Sequence, residues 1–229
     1  MDLNTQPISK TLREETPFLQ IQSIFTTIQG EGPFAGMPAI FIRLGGCNLQ
    51  CPFCDTDYSS SIALLTIEDI LDRIAQEAPR LVVITGGEPF RQNLKGLVAA
   101  ILVTGRNVQI ETNGSLFQDL PYELITVVCS PKTGSIHPKL LPYIQALKYV
   151  VAAGAISEQD GLPITALGHP NSGFVARPPY GFPFAFVYVQ PIDVQDPAEN
   201  AIHLQAAVHS CEKFGYRLSL QIHKIAGLA

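Results

Sequence analysis

Positive charge is scarce in this chain. Of 229 residues only 15 are lysine or arginine, against 20 aspartate or glutamate, for a formal net charge of −5. That balance leaves no electrostatic footprint for sequence-independent binding of DNA or RNA, so direct action on nucleic acid is not expected. Long apolar runs are missing too, none approaching the roughly eighteen residues of a membrane span. The stretch MDLNTQPISKTLREETPF mixes both signs of charge and has no apolar h-region, so it does not read as a secretory signal. A cytoplasmic protein without a membrane partner is the expectation. Tryptophan is absent altogether, which excludes nothing. Charged residues make up 15% of the chain and hydrophobic ones 46%, a balance that excludes a disordered or fibrous protein and calls for a large buried interior.

Cysteine is present at only five positions, yet Cys47, Cys51 and Cys54 fall together as C-x3-C-x2-C directly after a strand-like run. In a reducing compartment such a trio reads as metal-binding or catalytic, not as a disulfide framework. Four cysteines saturate a structural zinc or an ordinary iron–sulfur cluster, whereas three leave one metal position open. A zinc site would bring a second C-x2-C pair or regularly spaced histidines, and the sequence has neither. Cys129 and Cys211 fall in expected core elements, where a small buried hydrophobe is the usual role.

The length fits one α/β domain with a substantial core. Residues 1–17 are expected to be a flexible extension, and 18–229 a single domain. Residues 18–28 partly alternate, as in an edge strand or ribbon. Gln29-Gly30-Glu31-Gly32-Pro33 must then be a loop, because two glycines and a proline break regular structure. It can present Gln29 and Glu31 to a ligand. In a strand at 39–44, period two sends Ile40, Ile42 and Leu44 to one side and Phe41 and Arg43 to the other. Arg43 then faces the functional side, where a charge needs a partner. Thr66 can cap a helix whose Ile67, Ile70, Leu71 and Ile74 form one apolar stripe. Further strands at 81–85, 108–112, 125–129, 149–152, 185–189 and 217–222 alternate with helices expected at 92–102, 138–147 and 198–214. In the last helix Ile202, Ala206 and Cys211 share a face. The alternation predicts a parallel α/β sheet or barrel. A Gly- and Pro-rich, loop-rich insertion near 154–184 is a candidate lid.

C-x3-C-x2-C with Phe53 before the last cysteine resembles the signature of the radical S-adenosylmethionine (SAM) superfamily. Gly86-Gly87-Glu88-Pro89 looks like its GGEP motif; alone it would read equally well as a strand-to-helix turn, but it follows the cysteines at about the right distance. IQGEG at 28–32, PAIFIRL at 38–44, CDT at 54–56, ITGGEP at 84–89, ETNG at 111–114, CSPK at 129–132, YVQP at 188–191 and LQIHK at 220–224 together resemble the 7-carboxy-7-deazaguanine synthases.

The resemblance implies a shortened, partial (β/α) barrel of the radical SAM type. It implies a ring-contracting lyase that turns 6-carboxy-5,6,7,8-tetrahydropterin into 7-carboxy-7-deazaguanine with loss of ammonia, in queuosine or another deazapurine pathway. Carried over by position, Cys47, Cys51 and Cys54 would ligate a [4Fe-4S] cluster and Thr56 a Mg²⁺ ion. Phe53, Asp55, Gly87, Glu88, Asn113, Ser130, Pro131 and Lys132 would hold SAM. Ile28, Gln29, Gly30, Glu31, Arg43 and Thr85 would line the pterin, with Arg43 on its carboxylate. Gln190, His223 and the terminal carboxylate of Ala229 would meet the pterin edge, although a solvated strand end and a structural histidine are the plain alternatives for the first two. No catalytic side chain is implied beyond these ligands. The family also implies an external one-electron donor, flavodoxin or ferredoxin, and a homodimer. Two other readings stay open: a glycyl-radical activase, whose loops must admit a protein backbone, and an iron–sulfur electron carrier, which has little use for GGEP.

Overall fold

The structure, a computed structural model, describes residues 4–12, 14, 16–165 and 173–228. β1 (Phe18–Ile28) pairs antiparallel with β2 (Pro38–Leu44) on one side and with the short β3 (Ala63–Thr66) on the other. Of the two forms its alternation allows, it is therefore the antiparallel ribbon and not an edge strand. β3 takes the edge, and four residues are too few to show a period. From β2 the sheet continues in parallel through β4 (Leu81–Gly86), β5 (Asn107–Thr112), β6 (Ile125–Cys129), β7 (Ala146–Val151), β8 (Val187–Pro191) and β9 (Arg217–Leu218). The spatial order is β3-β1-β2-β4-β5-β6-β7-β8-β9. With α1 (Ile67–Ala75), α2 (Lys95–Val103) and α3 (Pro197–Phe214) as crossovers, this is a partial (β/α) barrel.

Period two decides what each face of the sheet does. Ile40, Ile42 and Leu44 of β2, with Val82 and Ile84 of β4, pack with Ile70 and Ile74 of α1 and Leu97, Val98 and Ile101 of α2 in the main core. The opposite face keeps Arg43, Thr85, Glu111, Lys148 and Gln190, all of which line one cavity. The cap on α1 is the one expected: the Thr66 hydroxyl accepts from Asp69 N–H, and the Asp69 carboxylate accepts from Thr66 N–H, closing a capping box.

Several expectations are corrected. No helix forms over 138–147. Pro142 lacks an N–H and its ring would clash inside a helix, so only a 3-10 turn (Leu141–Tyr143) forms before β7 begins. On α3, Ile202 is 60% exposed while Ala207 and Ser210 are buried. Apolar residues are spread around that helix, and the packed face is set by contacts such as the Ser210 hydroxyl donating to the Gly161 carbonyl at 2.6 Å. The last strand stops at Leu218, and the chain turns through Gln221 into α4 (Ile222–Ile225), where Ile222 N–H donates to the Gly30 carbonyl. The insertion is no lid over its described residues, none of which lines the cavity. It packs on the helical side instead, with Tyr216 Oη donating to the Asp160 carbonyl and Tyr149 Oη to that of Ala176. Nor is the N-terminal extension loose where it is described. Residues 4–12 hydrogen-bond to the cysteine loop and to Arg91. Among the described residues no helix is long and apolar enough to cross a membrane.

Candidate active site

Open parallel sheets bind ligands at the carboxyl ends of their strands, where the loops converge. Here those loops enclose a cavity of about 470 Å³, within the usual range for small-molecule sites.

One set of walls is the cysteine loop and the turns facing it. Cys47, Cys51, Phe53 and Cys54 line the cavity together with Gly87, Asn113, Ser130 and Lys132. All three cysteines are free thiols. Burial pushes the Cys47 thiol up to about 12, and the nearby Cys51 and Cys54 add to the rise. The Cys51 and Cys54 thiols are raised as well, burial again being the largest cause. Burial outweighs the pull of Lys132 on Cys51 and Cys54, and a bound metal group would have to displace the protons of all three thiols. Among the described residues no group of three His, Cys, Asp or Glu is arranged around a single ion. In an iron–sulfur cluster each cysteine would instead ligate a different iron.

Close backbone approach makes this wall possible. A Cβ at Gly87 would lie 2.3 Å from the Gly46 carbonyl oxygen and 2.7 Å from Cys47 Cβ. Gly87→Ala must therefore push the GGEP turn off the cysteine loop, costing about 1–3 kcal/mol by overpacking. A thermal midpoint equal to that of the unchanged chain would show that the turn has room to spare.

Glu88 does not reach the cavity. Its carboxylate is fully buried and accepts from Phe90 N–H at 3.0 Å, Thr112 Oγ1 at 2.8 Å and Asn113 N–H at 2.7 Å. Burial pushes its carboxyl up to about 7, against the pull of those hydrogen bonds. It ties the GGEP turn to the ETNG turn, which places Asn113 at the cavity and lets Asn113 Nδ2 donate to Asn48 Oδ1 beside Cys47. Glu88 is thus not among the residues that line the cavity. Pro131 also lies outside the lining, between Ser130 and Lys132, which are in it.

The second set of walls is polar. Glu31 Oε1 accepts from Gln190 Nε2 at 3.2 Å and Gln221 Nε2 at 2.9 Å, while Oε2 is ion-paired with Lys148. Burial opposes charge on Glu31, yet Lys148 and the hydrogen bonds outweigh it and hold the carboxyl below its ordinary value. Gln29 Nε2 donates to Glu111 Oε1 at 2.9 Å, and Thr85 Oγ1 to Glu111 Oε2 at 3.5 Å. Arg43 Nη1 donates to Thr56 Oγ1 at 3.3 Å, and its guanidinium lies 5.8 Å from the Phe25 ring centroid. Asp55 is paired with Lys224 at 2.9 Å and accepts from Gln221 at 3.2 Å. Burial opposes its ionisation, but the Lys224 hydrogen bond keeps it below its usual range. α4 seals this end: a Cβ on Gly30 would lie 1.9 Å from His223 Nδ1, so glycine is what lets His223 pack there.

Of the expected site residues, Ile28, Gln29, Glu31, Arg43, the three cysteines, Phe53, Asp55, Thr56, Thr85, Gly87, Asn113, Ser130, Lys132, Gln190 and His223 all line this one cavity. Gly30, Glu88 and Pro131 stand just behind it, and Ala229 lies outside the described residues. The sequence reading missed Lys148, Gln221 and Lys224 and gave Glu111 no role of its own. For Lys148 a signal was present, a lone lysine inside the apolar strand ALKYVV; the others carry none.

Comparison with known proteins gives concordant results. A family model described as the Radical SAM superfamily matches residues 41–129. The 7-carboxy-7-deazaguanine synthase of Rhodospirillum rubrum is 47% identical over 221 residues, covering 92% of this chain and 93% of the relative. The protein of the same name from Rickettsia prowazekii is 41% identical over 223 residues, covering 92% and 88%. The crystal structure of QueE from Escherichia coli superposes with a TM-score of 0.66 at 25% identity, covering 89% of this chain and 94% of that one.

Proposed function

Because this chain belongs to the 7-carboxy-7-deazaguanine synthase family of radical SAM enzymes, we propose that it converts 6-carboxy-5,6,7,8-tetrahydropterin into 7-carboxy-7-deazaguanine with loss of ammonia, in queuosine or related deazapurine biosynthesis. The observation that carries the reading is one cavity with three free thiols on one wall and a carboxylate–amide–guanidinium set on the other.

Cys47, Cys51 and Cys54 would hold a [4Fe-4S] cluster with one iron left open. When bound, the cluster and SAM supply one-electron cleavage of a carbon–sulfur bond and a radical able to take an unactivated hydrogen. The chain's own residues position the partners. Asn113, Ser130 and Lys132, on successive strand-end turns, would meet the polar groups of SAM, with Phe53 and Gly87 beside them. The carboxylates of Glu31 and Glu111 match the N–H donors of the aminopyrimidinone ring of a pterin. Arg43 offers a planar fork suited to the substrate carboxylate. The Thr56 hydroxyl, within hydrogen-bond reach of Arg43, would give Mg²⁺ one oxygen ligand next to that carboxylate. The apolar lining of Phe25, Phe41, Val128, Val150 and Ile192 keeps water from a reactive radical. We further propose that the enzyme works in the cytoplasm as a homodimer and takes its electron from flavodoxin or ferredoxin.

The test is anaerobic turnover of the carboxytetrahydropterin by the iron-loaded enzyme, followed by mass spectrometry. Deazaguanine product is expected, and none from a fully loaded enzyme would refute the assignment. Arg43→Leu should raise the Michaelis constant by about tenfold or more, the value of a lost charge-assisted hydrogen bond. SAM affinity should stay unchanged. The opposite pattern would take Arg43 off the substrate.

A further inference from the structure

The described residues ahead of β1 form no helix or strand, yet they are bonded along the length of the cysteine loop. Ser9 N–H donates to the Cys47 carbonyl at 2.7 Å, and Ile8 forms a parallel bridge with Cys47. Asn4 donates from its backbone to the Pro52 carbonyl at 2.9 Å and from its side chain to the Cys51 carbonyl at 3.1 Å. Gln6 is engaged at several points. Its Nε2 donates to the Thr56 carbonyl at 2.9 Å, its Oε1 accepts from Tyr58 N–H at 2.7 Å, and its carbonyl accepts from Gln50 Nε2 at 2.7 Å. Further along, Leu12 N–H donates to the Arg91 carbonyl, and Arg91 Nη1 returns a bond to the Lys10 carbonyl at 2.8 Å. The segment is thus anchored to the turn that follows GGEP.

The loop it holds has little order of its own. Between Cys47 and Tyr58 there is neither helix nor strand, and its internal bonds include Cys54 N–H to the Cys51 carbonyl at 3.2 Å and Leu49 N–H to Cys47 Sγ at 3.4 Å. Ordering such a loop costs conformational entropy residue by residue. The bonds from residues 4–9 meet part of that cost before any ligand arrives. They use neutral groups and mostly backbone carbonyls on the loop, which leaves all three sulfurs for the cavity.

We propose that residues 4–9 are a clasp that sets the spacing of Cys47, Cys51 and Cys54 from outside the cavity, so that the cluster site is formed before the cluster binds and is slow to lose it afterwards. The proposal rests on the reading of these cysteines as cluster ligands. The main chain of residues 4–9 and the side chains of Asn4 and Gln6 act through the ligands and touch neither cluster nor substrate, which makes them positioning groups.

The test compares the full chain with the double variant Asn4→Ala, Gln6→Ala, both reconstituted anaerobically with iron and sulfide. The variant should hold less iron per chain and lose its iron–sulfur absorbance in air about tenfold faster, as the removal of several hydrogen bonds worth a few tenths to one decade each implies. Its iron-free thermal midpoint should stay close to that of the unchanged chain, which separates positioning from general stability. Equal iron content and equal decay would overturn the clasp. An unchanged chain that takes up no iron would overturn the cluster reading, and the clasp with it. Hydrogen exchange on the iron-free unchanged chain gives a check that needs no variant. Ser9 and Tyr58 amides should be protected, and exchange at the free-peptide rate would overturn the preformed clasp.

Discussion

Cys51→Ala should yield a folded protein without iron–sulfur absorbance and without turnover. The cavity's chemistry depends on that one sulfur because three thiols are the whole cysteine set at the site, and each would ligate a separate iron. Activity should fall to the uncatalysed background, a loss of at least about six orders of magnitude. The fold should survive, because the thiol removed is a neutral group: burial holds its pKa above the ordinary cysteine value. Loading the unchanged chain must displace protons from raised thiols, Cys47 standing at about 12, so cluster uptake should release acid and slow as pH falls. Zinc retention with no iron uptake in the unchanged chain would remove the radical chemistry altogether. Persistent iron absorbance in Cys51→Ala would move the ligand set elsewhere.

Lys148→Met should be the most damaging change outside the cysteine loop. Lys148 and Glu31 form a buried ion pair, their side chains 9% and 13% exposed. Losing one partner of such a pair costs about 3–5 kcal/mol because the other charge is left without compensation. The loss should depend on pH in a defined direction. In the unchanged chain Glu31 has a folded-state pKa below the ordinary glutamate value of 4.5. Its contribution to stability is therefore present above that value and fades as pH falls through the lower folded pKa. Without Lys148, desolvation dominates and carries the Glu31 pKa above the unfolded value. The variant then loses stability as pH rises through that interval. Lys132 and His223 on one side and Asp55 and Glu111 on the other act on the same pair more weakly. The gap in stability between the two proteins should be wide near neutral pH and should close below about pH 4.5. Chemical denaturation across that range reads it directly. Lys148→Arg should restore most of the difference, and a gap independent of pH would mean that Lys148 acts by packing alone.

Much of the site was legible because its motifs are local. C-x3-C-x2-C, GGEP, ETNG and CSPK each sit where an apolar strand gives way to a turn, so their residues share one end of the sheet once the strands are parallel. Period two was enough to turn Arg43 toward the cavity and Ile40, Ile42 and Leu44 toward the helices. Where the reading failed, a longer-range contact had overruled a local pattern. β1 is made interior by a four-residue partner forty residues downstream.

The cysteine stretch defines what kind of chemistry this chain belongs to, and the sequence alone determined that, since cysteine number, spacing and the strand before them are all read within one short run. The tertiary structure decided what holds that stretch in place and what faces it. Lys148 meets Glu31 across 117 residues, Glu88 meets Thr112 and Asn113 rather than the cavity, and a segment with the composition of a loose tail closes over the cysteine loop. Such pairings leave no periodic trace, because they depend on which turns the folded sheet brings together.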